Sequence, residues 1–222
     1  MKEIRVILTG ATGMVGDGVL LECLENPSVK EVLAIGRREC GRKDPKLKEI
    51  IHPDMYDISP IADILVGYDA CFFCLGASSV GKTEEEYTKI THTLTLNFAK
   101  VLASRNPDMT FCFISGAATD STEKGKIMWA RVKGKTENDL MKLPFKKVYN
   151  FRPGFILASK GQNNVHLAYK FVNWLYPVVR SIFPKHVSTM KDIAKAMIKS
   201  VTLGYEKQIL EIKDMILLAN KN

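Results

Sequence analysis

No apolar run in this 222-residue sequence reaches the roughly 18–20 residues that a membrane-spanning helix needs. The longest, Phe171 to Phe183, is interrupted by Asn173, Pro177 and Arg180, so no membrane span is expected. No signal peptide is expected either. The opening MKEIRVILTG enters a strand-like pattern and a glycine-rich turn at once, with no apolar h-region or small-residue cleavage site. The default expectation is a cytoplasmic location. Cysteine is sparse and odd in number, at Cys23, Cys40, Cys71, Cys74 and Cys112, all in apolar surroundings. A disulfide framework is therefore not expected. Cys71 and Cys74 are spaced as CxxC, but within a strand residues three apart point to opposite faces, which leaves two buried thiols. No His/Cys cluster has zinc-ligand spacing, and no metal is expected.

Acidic residues are outnumbered. There are 24 Asp and Glu against 32 Lys and Arg, for a net charge of +8. The excess is concentrated between Gly36 and Lys48 and again between Glu123 and Lys147. Neither stretch has interleaved aromatics or a nucleic-acid-binding motif, so the plain reading is a solvated basic surface and no nucleic-acid partner is expected. The alternative is an anionic cofactor, and that turns on Arg37 and Arg38.

Hydrophobic residues make up 46% and charged residues 25% of the chain, within the range of a folded globular protein. Short, nearly continuous apolar runs predict strands at Ile4–Thr9, Glu31–Ile35, Glu49–His52, Ala70–Leu75, Thr110–Ile114 and Lys147–Phe151. Helical stretches lie between them at Met14–Glu25, Ser59–Val66, Glu84–Ser104 and Gly125–Leu143. Repeated strand–helix–strand units predict an α/β fold, a doubly wound parallel (Rossmann) sheet flanked by helices. The chain reads as one domain over 1–222. Roughly residues 158–205 are expected to form a small C-terminal substrate-side lobe, with an amphipathic helix at Lys191–Thr202 and a last strand at Gln208–Ile212.

The strongest signal is TGATGMVG. Gly10, Gly13 and Gly16 form GxxGxxG where the first strand meets the first helix. In such a turn the first glycine permits the bend, the second admits a pyrophosphate and the third lets helix and strand pack closely. Exposed N–H groups and the helix dipole hold the phosphates. The residues from Gly10 through Ala11, Thr12, Gly13, Met14, Val15 and Gly16 are thus the candidate phosphate cradle. A following strand at the right distance strengthens the assignment. That second strand ends in VLAIGRR, where an NAD site places an acid for the ribose 2′-hydroxyl. Arg37 and Arg38 stand there instead and suit a 2′-phosphate, which favours NADP over NAD. The alternative is that they face solvent.

These features resemble the atypical and extended short-chain dehydrogenase/reductase superfamily. In particular they resemble the branch of NmrA-like proteins and Tat-interacting-protein-like oxidoreductases, related to the NAD-dependent epimerase/dehydratases. FFCLGAS at Phe72–Ser78, FISGAATDS at Phe113–Ser121, VKGKTENDL at Val132–Leu140, FRPGFIL at Phe151–Leu157 and TMKDIAKAM at Thr189–Met197 stand in family order. The resemblance implies that Leu75, Gly76 and Ala77 line the nicotinamide ribose and that Pro153 and Gly154 face the nicotinamide, with Arg152 supporting that loop. It places Asp57 near the adenine; a helix N-cap is the equal alternative.

Catalysis in the superfamily uses Ser/Thr, Tyr and Lys, with a YxxxK helix in which Lys lowers the pKa of a proton-transferring Tyr. Ser115 and Lys133 match the serine and the lysine. The position four residues before Lys133 is Trp129, whose indole N–H is no general acid near neutral pH. Lys133 could instead bind the ribose alone, or be an exposed helix lysine. Tyr87 lies on an apolar stripe and reads as core, Asn97 borders that stripe, and His92 falls off it towards solvent. Asp120, Glu123 and Lys126 are placed on a mobile loop. His166, Tyr169 and the aromatics Phe171, Trp174, Tyr176 and Phe183 belong to the expected lobe. Two functions follow from the resemblance: an NADP-dependent oxidoreductase of an unidentified small molecule, or a non-catalytic NADP-binding sensor with a protein partner. Nucleotide-sugar epimerisation is a weaker third.

Overall fold

The computed structural model describes residues 3–159, 161–162 and 187–221. Seven strands form one wholly parallel sheet: β1 (Ile4–Thr9), β2 (Val29–Gly36), β3 (Leu47–Ile51), β4 (Ala70–Phe73), β5 (Thr110–Ile114), β6 (Lys147–Phe151) and β9 (Ile209–Leu210). Their order is β3-β2-β1-β4-β5-β6-β9. A separate parallel pair joins β7 (Phe155–Leu157) to β8 (Val187–Thr189). This is a Rossmann-like doubly wound fold.

The strands are apolar on both faces because both are covered. On one side α1 (Met14–Glu25), α5 (Met190–Thr202) and α6 (Ile212–Ala219) enclose Val6, Leu8, Val32, Phe72, Phe151 and their neighbours. On the other, α3 (Leu94–Arg105) and α4 (Met128–Leu140) cover Ile7, Ile35, Phe73, Phe111 and Phe113. The rings of Phe73 and Phe98 meet edge to face at 5.4 Å. Cys71 belongs to the second core and Cys74 packs against the first, so the CxxC pair splits across the sheet as period-two geometry requires. All five cysteines are free thiols.

Several elements depart from the sequence expectation, three of them for a local reason. The segment expected as a helix over Ser59–Val66 is a 3-10 helix, Ser59–Leu65, entered through Pro60. The long helix expected from Glu84 is three pieces run together: α2 (Glu84–Thr88), a π-helical turn at Lys89–Thr93, and α3. β4 ends at Phe73 rather than Leu75, because the chain there turns to meet the glycine-rich loop. Most of the expected lobe, including Val165–Phe183 with His166 and Tyr169, lies outside the described residues. Of the rest, α5 is started by a capping box between Thr189 and Asp192 and packs on α1 and α6.

The strand order reverses between β1 and β4, since β2 lies on one side of β1 and β4 on the other. Loops leaving the carboxyl ends of β1 and β4 therefore diverge and open a crevice. The Leu75 N–H donates to Thr9 Oγ1 at 3.2 Å and ties the two loops together at their origin.

Candidate functional site

Gly10 has a φ of +73°, and a Cβ there would lie 2.7 Å from the Cys74 carbonyl oxygen. A Cβ on Gly16 would run into the Gly10 carbonyl. The first glycine thus permits both the turn and the approach of β4. The third lets α1 lie directly against the loop. The Asp17 N–H makes the first α-helical bond, to Gly13 O at 2.9 Å. Met14, Val15 and Gly16 occupy the open first turn, whose N–H groups have no partner within the helix.

Beside this turn lies a cavity of about 320 Å3 lined by Gly10, Ala11, Thr12, Arg37, Arg38 and Leu75, all candidate residues. Ala34, Ile35, Gly36, Glu49 and Met55 complete it. Both arginines thus border the cavity that begins at the glycine-rich turn. Gly13, Met14, Val15, Gly16, Gly76, Ala77, Pro153 and Gly154 lie outside this lining. So does Asp57, whose Oδ1 accepts the Ser59 N–H at 2.9 Å in a local turn just ahead of the 3-10 helix, whose N-cap position is Ile58. A larger hollow, about 580 Å3, opens at the opposite ends of the strands around Asp69, Asp108, Lys146 and Lys147 and contains none of the candidate residues.

The basic stretch after β2 is more engaged than a solvated surface. Arg42 Nε donates to the fully buried Asp17 carboxylate at 2.7 Å, and its Nη2 to Gly161 O at 2.9 Å. Lys46 Nζ reaches Asn26 O at 2.8 Å and Lys48 pairs with Glu31.

A second constellation gathers where β5 and β6 end. Ser115 is buried, and its Oγ lies 3.0 Å from Thr119 Oγ1. Thr119 donates its one hydroxyl proton to Gly116 O at 2.7 Å. Ser115 must then be the donor to Thr119, which leaves its oxygen free to accept. Lys133 Nζ donates to Ser115 O at 2.7 Å. Burial pushes the Lys133 pKa down to about 8, with Glu137 pulling the other way. A Cβ on Gly116 would sit 3.7 Å from the Trp129 ring and 3.9 Å from Lys133 Nζ. The indole therefore flanks the same backbone as the lysine.

The loop beyond Ser115, expected as mobile, carries its own hydrogen bonds. Asp120 accepts from Thr122 and from the Gly125 N–H at 2.6 Å, and Glu123 accepts from Asn138 at 2.7 Å. Neither carboxylate is free to reach a substrate unaided. Ala117 N donates to Pro153 O at 2.8 Å and joins the β5 and β6 loops. The turn from Gly116 to Thr119 closes through Thr119 N–Gly116 O and puts Ala118 at a φ of 65°, where glycine is favoured. Ala118→Gly is expected to stabilise the protein by about 0.5–1 kcal/mol, since a left-handed alanine is strained. A urea midpoint below that of the wild type would contradict this conformation.

An ion pair that the sequence reading does not anticipate holds this region together. Glu137, fully buried, and Arg152, 8% exposed, form a two-pronged ion pair. Arg152 also donates to Ser121 Oγ at 2.6 Å and approaches Glu211 at 3.4 Å. The signal for Glu137 was present, one turn from Lys133 on the same helical face. His92, expected in solvent, is half-buried and bonds Asp139 at 2.9 Å. Tyr87 is buried, and Asn97 is exposed with a bond to Tyr56 O.

A sequence model of the NAD dependent epimerase/dehydratase family matches residues 6–127. Among curated proteins, "Protein FMP52, mitochondrial" of Eremothecium gossypii is 28% identical over 159 residues, 71% of this chain and 68% of that one. "Protein HTATIP2" of Rattus norvegicus is 24% identical over 165 residues, 73% and 67% of the two chains. Among solved structures, the Bordetella bronchiseptica enzyme WbmF in complex with NAD+ and UDP aligns with a TM-score of 0.64 at 14% identity, over 99% of this chain and 77% of that one, a likeness of fold. The fungal names overturn the cytoplasmic expectation. The relatives from Eremothecium gossypii, Aspergillus fumigatus and Emericella nidulans are all designated mitochondrial.

Proposed function

The chain belongs to the NAD dependent epimerase/dehydratase family, and from that premise we propose that it binds NADP(H) in the crevice between β1 and β4 and acts as an oxidoreductase on a small carbonyl or alcohol substrate. The observation that carries this reading is Arg37 and Arg38 bordering one cavity with Gly10, Ala11 and Thr12. Two guanidinium groups at the end of β2 suit the 2′-phosphate of NADP better than the bare 2′-hydroxyl of NAD. The Thr12 to Gly16 backbone would hold the pyrophosphate. Leu75, Gly76, Ala77, Pro153 and Gly154, on the loops after β4 and β6, would flank the ribose and the nicotinamide. When bound, the nicotinamide supplies or accepts a hydride. A mitochondrial location is what the fungal relatives' names support.

In this reading Lys133 and Ser115 are the catalytic pair. Ser115 presents an acceptor oxygen, because its proton is committed to Thr119. Lys133 is the titrating group nearest to it, anchored on the Ser115 carbonyl. With Trp129 in the tyrosine position, Lys133 is the candidate to hold and deliver the proton. A reaction that needs the ammonium form loses rate as pH rises through about 8, where Lys133 deprotonates.

Trp129 favours a second reading, a non-catalytic NADP(H)-binding sensor with a protein partner. Fluorescence titration with NADPH and NADH, followed by NADPH consumption across a carbonyl panel, decides between them. Arg37→Ala is expected to weaken NADPH by about tenfold, the loss of one charge-assisted contact, and to leave NADH within a factor of two or so. Turnover by the wild type that Lys133→Ala abolishes establishes the enzyme. Saturable NADPH binding with no turnover on any carbonyl favours the sensor. Unchanged NADPH affinity in Arg37→Ala ends the argument for NADP.

A further inference from the structure

The nucleotide cavity has three charged lining residues, and one of them is acidic. Glu49 lies on β3, opposite Ala34 of β2 in the sheet register. Its Oε1 accepts the Cys40 N–H at 2.8 Å. That bond fixes the carboxylate beneath the loop that follows Arg37 and Arg38. Oε2 has no hydrogen-bond partner among the described residues. Glu49 is solvent-exposed.

We infer that Glu49 is a specificity-determining residue, which accepts a hydrogen bond from the adenosine ribose 2′-hydroxyl of NAD(H) and repels the 2′-phosphate of NADP(H). The inference rests on the nucleotide assignment above and adds to it. The arginines and the glutamate act in opposite directions within one cavity. The arginines attract a phosphate group, and Glu49 limits that attraction while serving the hydroxyl that replaces it. The chain then takes both nucleotides, with NADP(H) ahead by a margin smaller than two unopposed arginines would give. The acid is supplied by β3 instead of the end of β2, so inspection of VLAIGRR alone does not find it.

Glu49→Gln tests this. Glutamine keeps an oxygen for the Cys40 N–H and removes the charge, so the loop has the same anchor. Dissociation constants of NADPH and NADH, with 2′-AMP and AMP as probes of the adenosine half alone, are measured on the wild type and the variant. NADPH and 2′-AMP are expected to tighten by about fivefold in Glu49→Gln, as a like charge a few ångströms away in a water-exposed site would require. NADH and AMP are expected to weaken or stay level, so the NADPH preference widens. The widening should shrink at high salt, where exposed charges are screened. An unchanged ratio overturns the inference. So does a parallel loss for both nucleotides with a lowered melting temperature, which would make Glu49 only a support for the Cys40 loop. A wild type that binds neither nucleotide removes the nucleotide assignment itself, and the inference with it.

Discussion

Gly16→Ala is expected to lower dinucleotide affinity by a factor of 10² or more, whichever nicotinamide nucleotide is offered. The added Cβ would strike the Gly10 carbonyl oxygen. Backbone cannot swing aside as a flexible side chain can, so the first turn of α1 must move away from the loop. Two or three N–H groups that would hold the proposed pyrophosphate move with it. Each hydrogen bond to a charged group is worth about 1.5–3 kcal/mol, and losing two accounts for the factor. Overpacking at the turn should also cost about 1–3 kcal/mol of stability. Calorimetric titration and a urea melt read the two effects separately. Wild-type affinity in a folded Gly16→Ala protein would contradict the geometry of the turn.

Glu137→Ala is expected to destabilise the fold by about 3–5 kcal/mol, because it leaves a buried guanidinium without its main counter-charge. The only other carboxylate that Arg152 approaches among the described residues is Glu211, at 3.4 Å. The pair joins the inner face of α4 to the end of β6, and through Ser121 it holds the loop that follows Ser115. Its loss should therefore loosen the lysine and serine as well as the core. Glu137 also favours the charged form of Lys133, so removing it should lower the lysine pKa further. Replacing both partners with apolar residues, Glu137→Leu with Arg152→Met, should recover much of the stability, since no unpaired charge remains. A single-variant loss below about 1 kcal/mol would show that the pair is not buried as described.

The parts of the structure that sequence reveals are those in which a local pattern is also the physical cause. Glycines at positions 10 and 16 mark the turn because a Cβ at either would strike backbone, whereas one at Gly13 would come only to 3.3 Å from the Gly10 carbonyl oxygen. The apolar runs of β1, β5 and β6 mark buried strands, and their predicted bounds agree with the observed ones. The motif pairs Ser115 with Lys133, and in the structure the lysine reaches the backbone carbonyl of Ser115. What was hidden depends on contacts between distant segments. Asp17 and Arg42 are 25 residues apart, and neither residue's neighbours announce the other. Glu49 reaches the arginine cavity only because β3 pairs with β2. The π-helical turn at Lys89–Thr93 has no composition that separates it from the helices on either side. The periodicity of its own helix points His92 towards solvent, and it is α4, distant in sequence, that supplies Asp139.

The central claim is that backbone N–H groups of the glycine-rich turn hold a dinucleotide's pyrophosphate. It is tested most directly by following the amide resonances of the 15N-labelled protein as NADPH is added. The account predicts large, saturable shifts at Thr12, Gly13, Met14, Val15 and Gly16, accompanied by Arg37 and Arg38, while residues around Asp108 and Lys147 at the far ends of the strands stay in place. Shifts centred elsewhere, or a glycine-rich turn unmoved at saturating nucleotide, would contradict it.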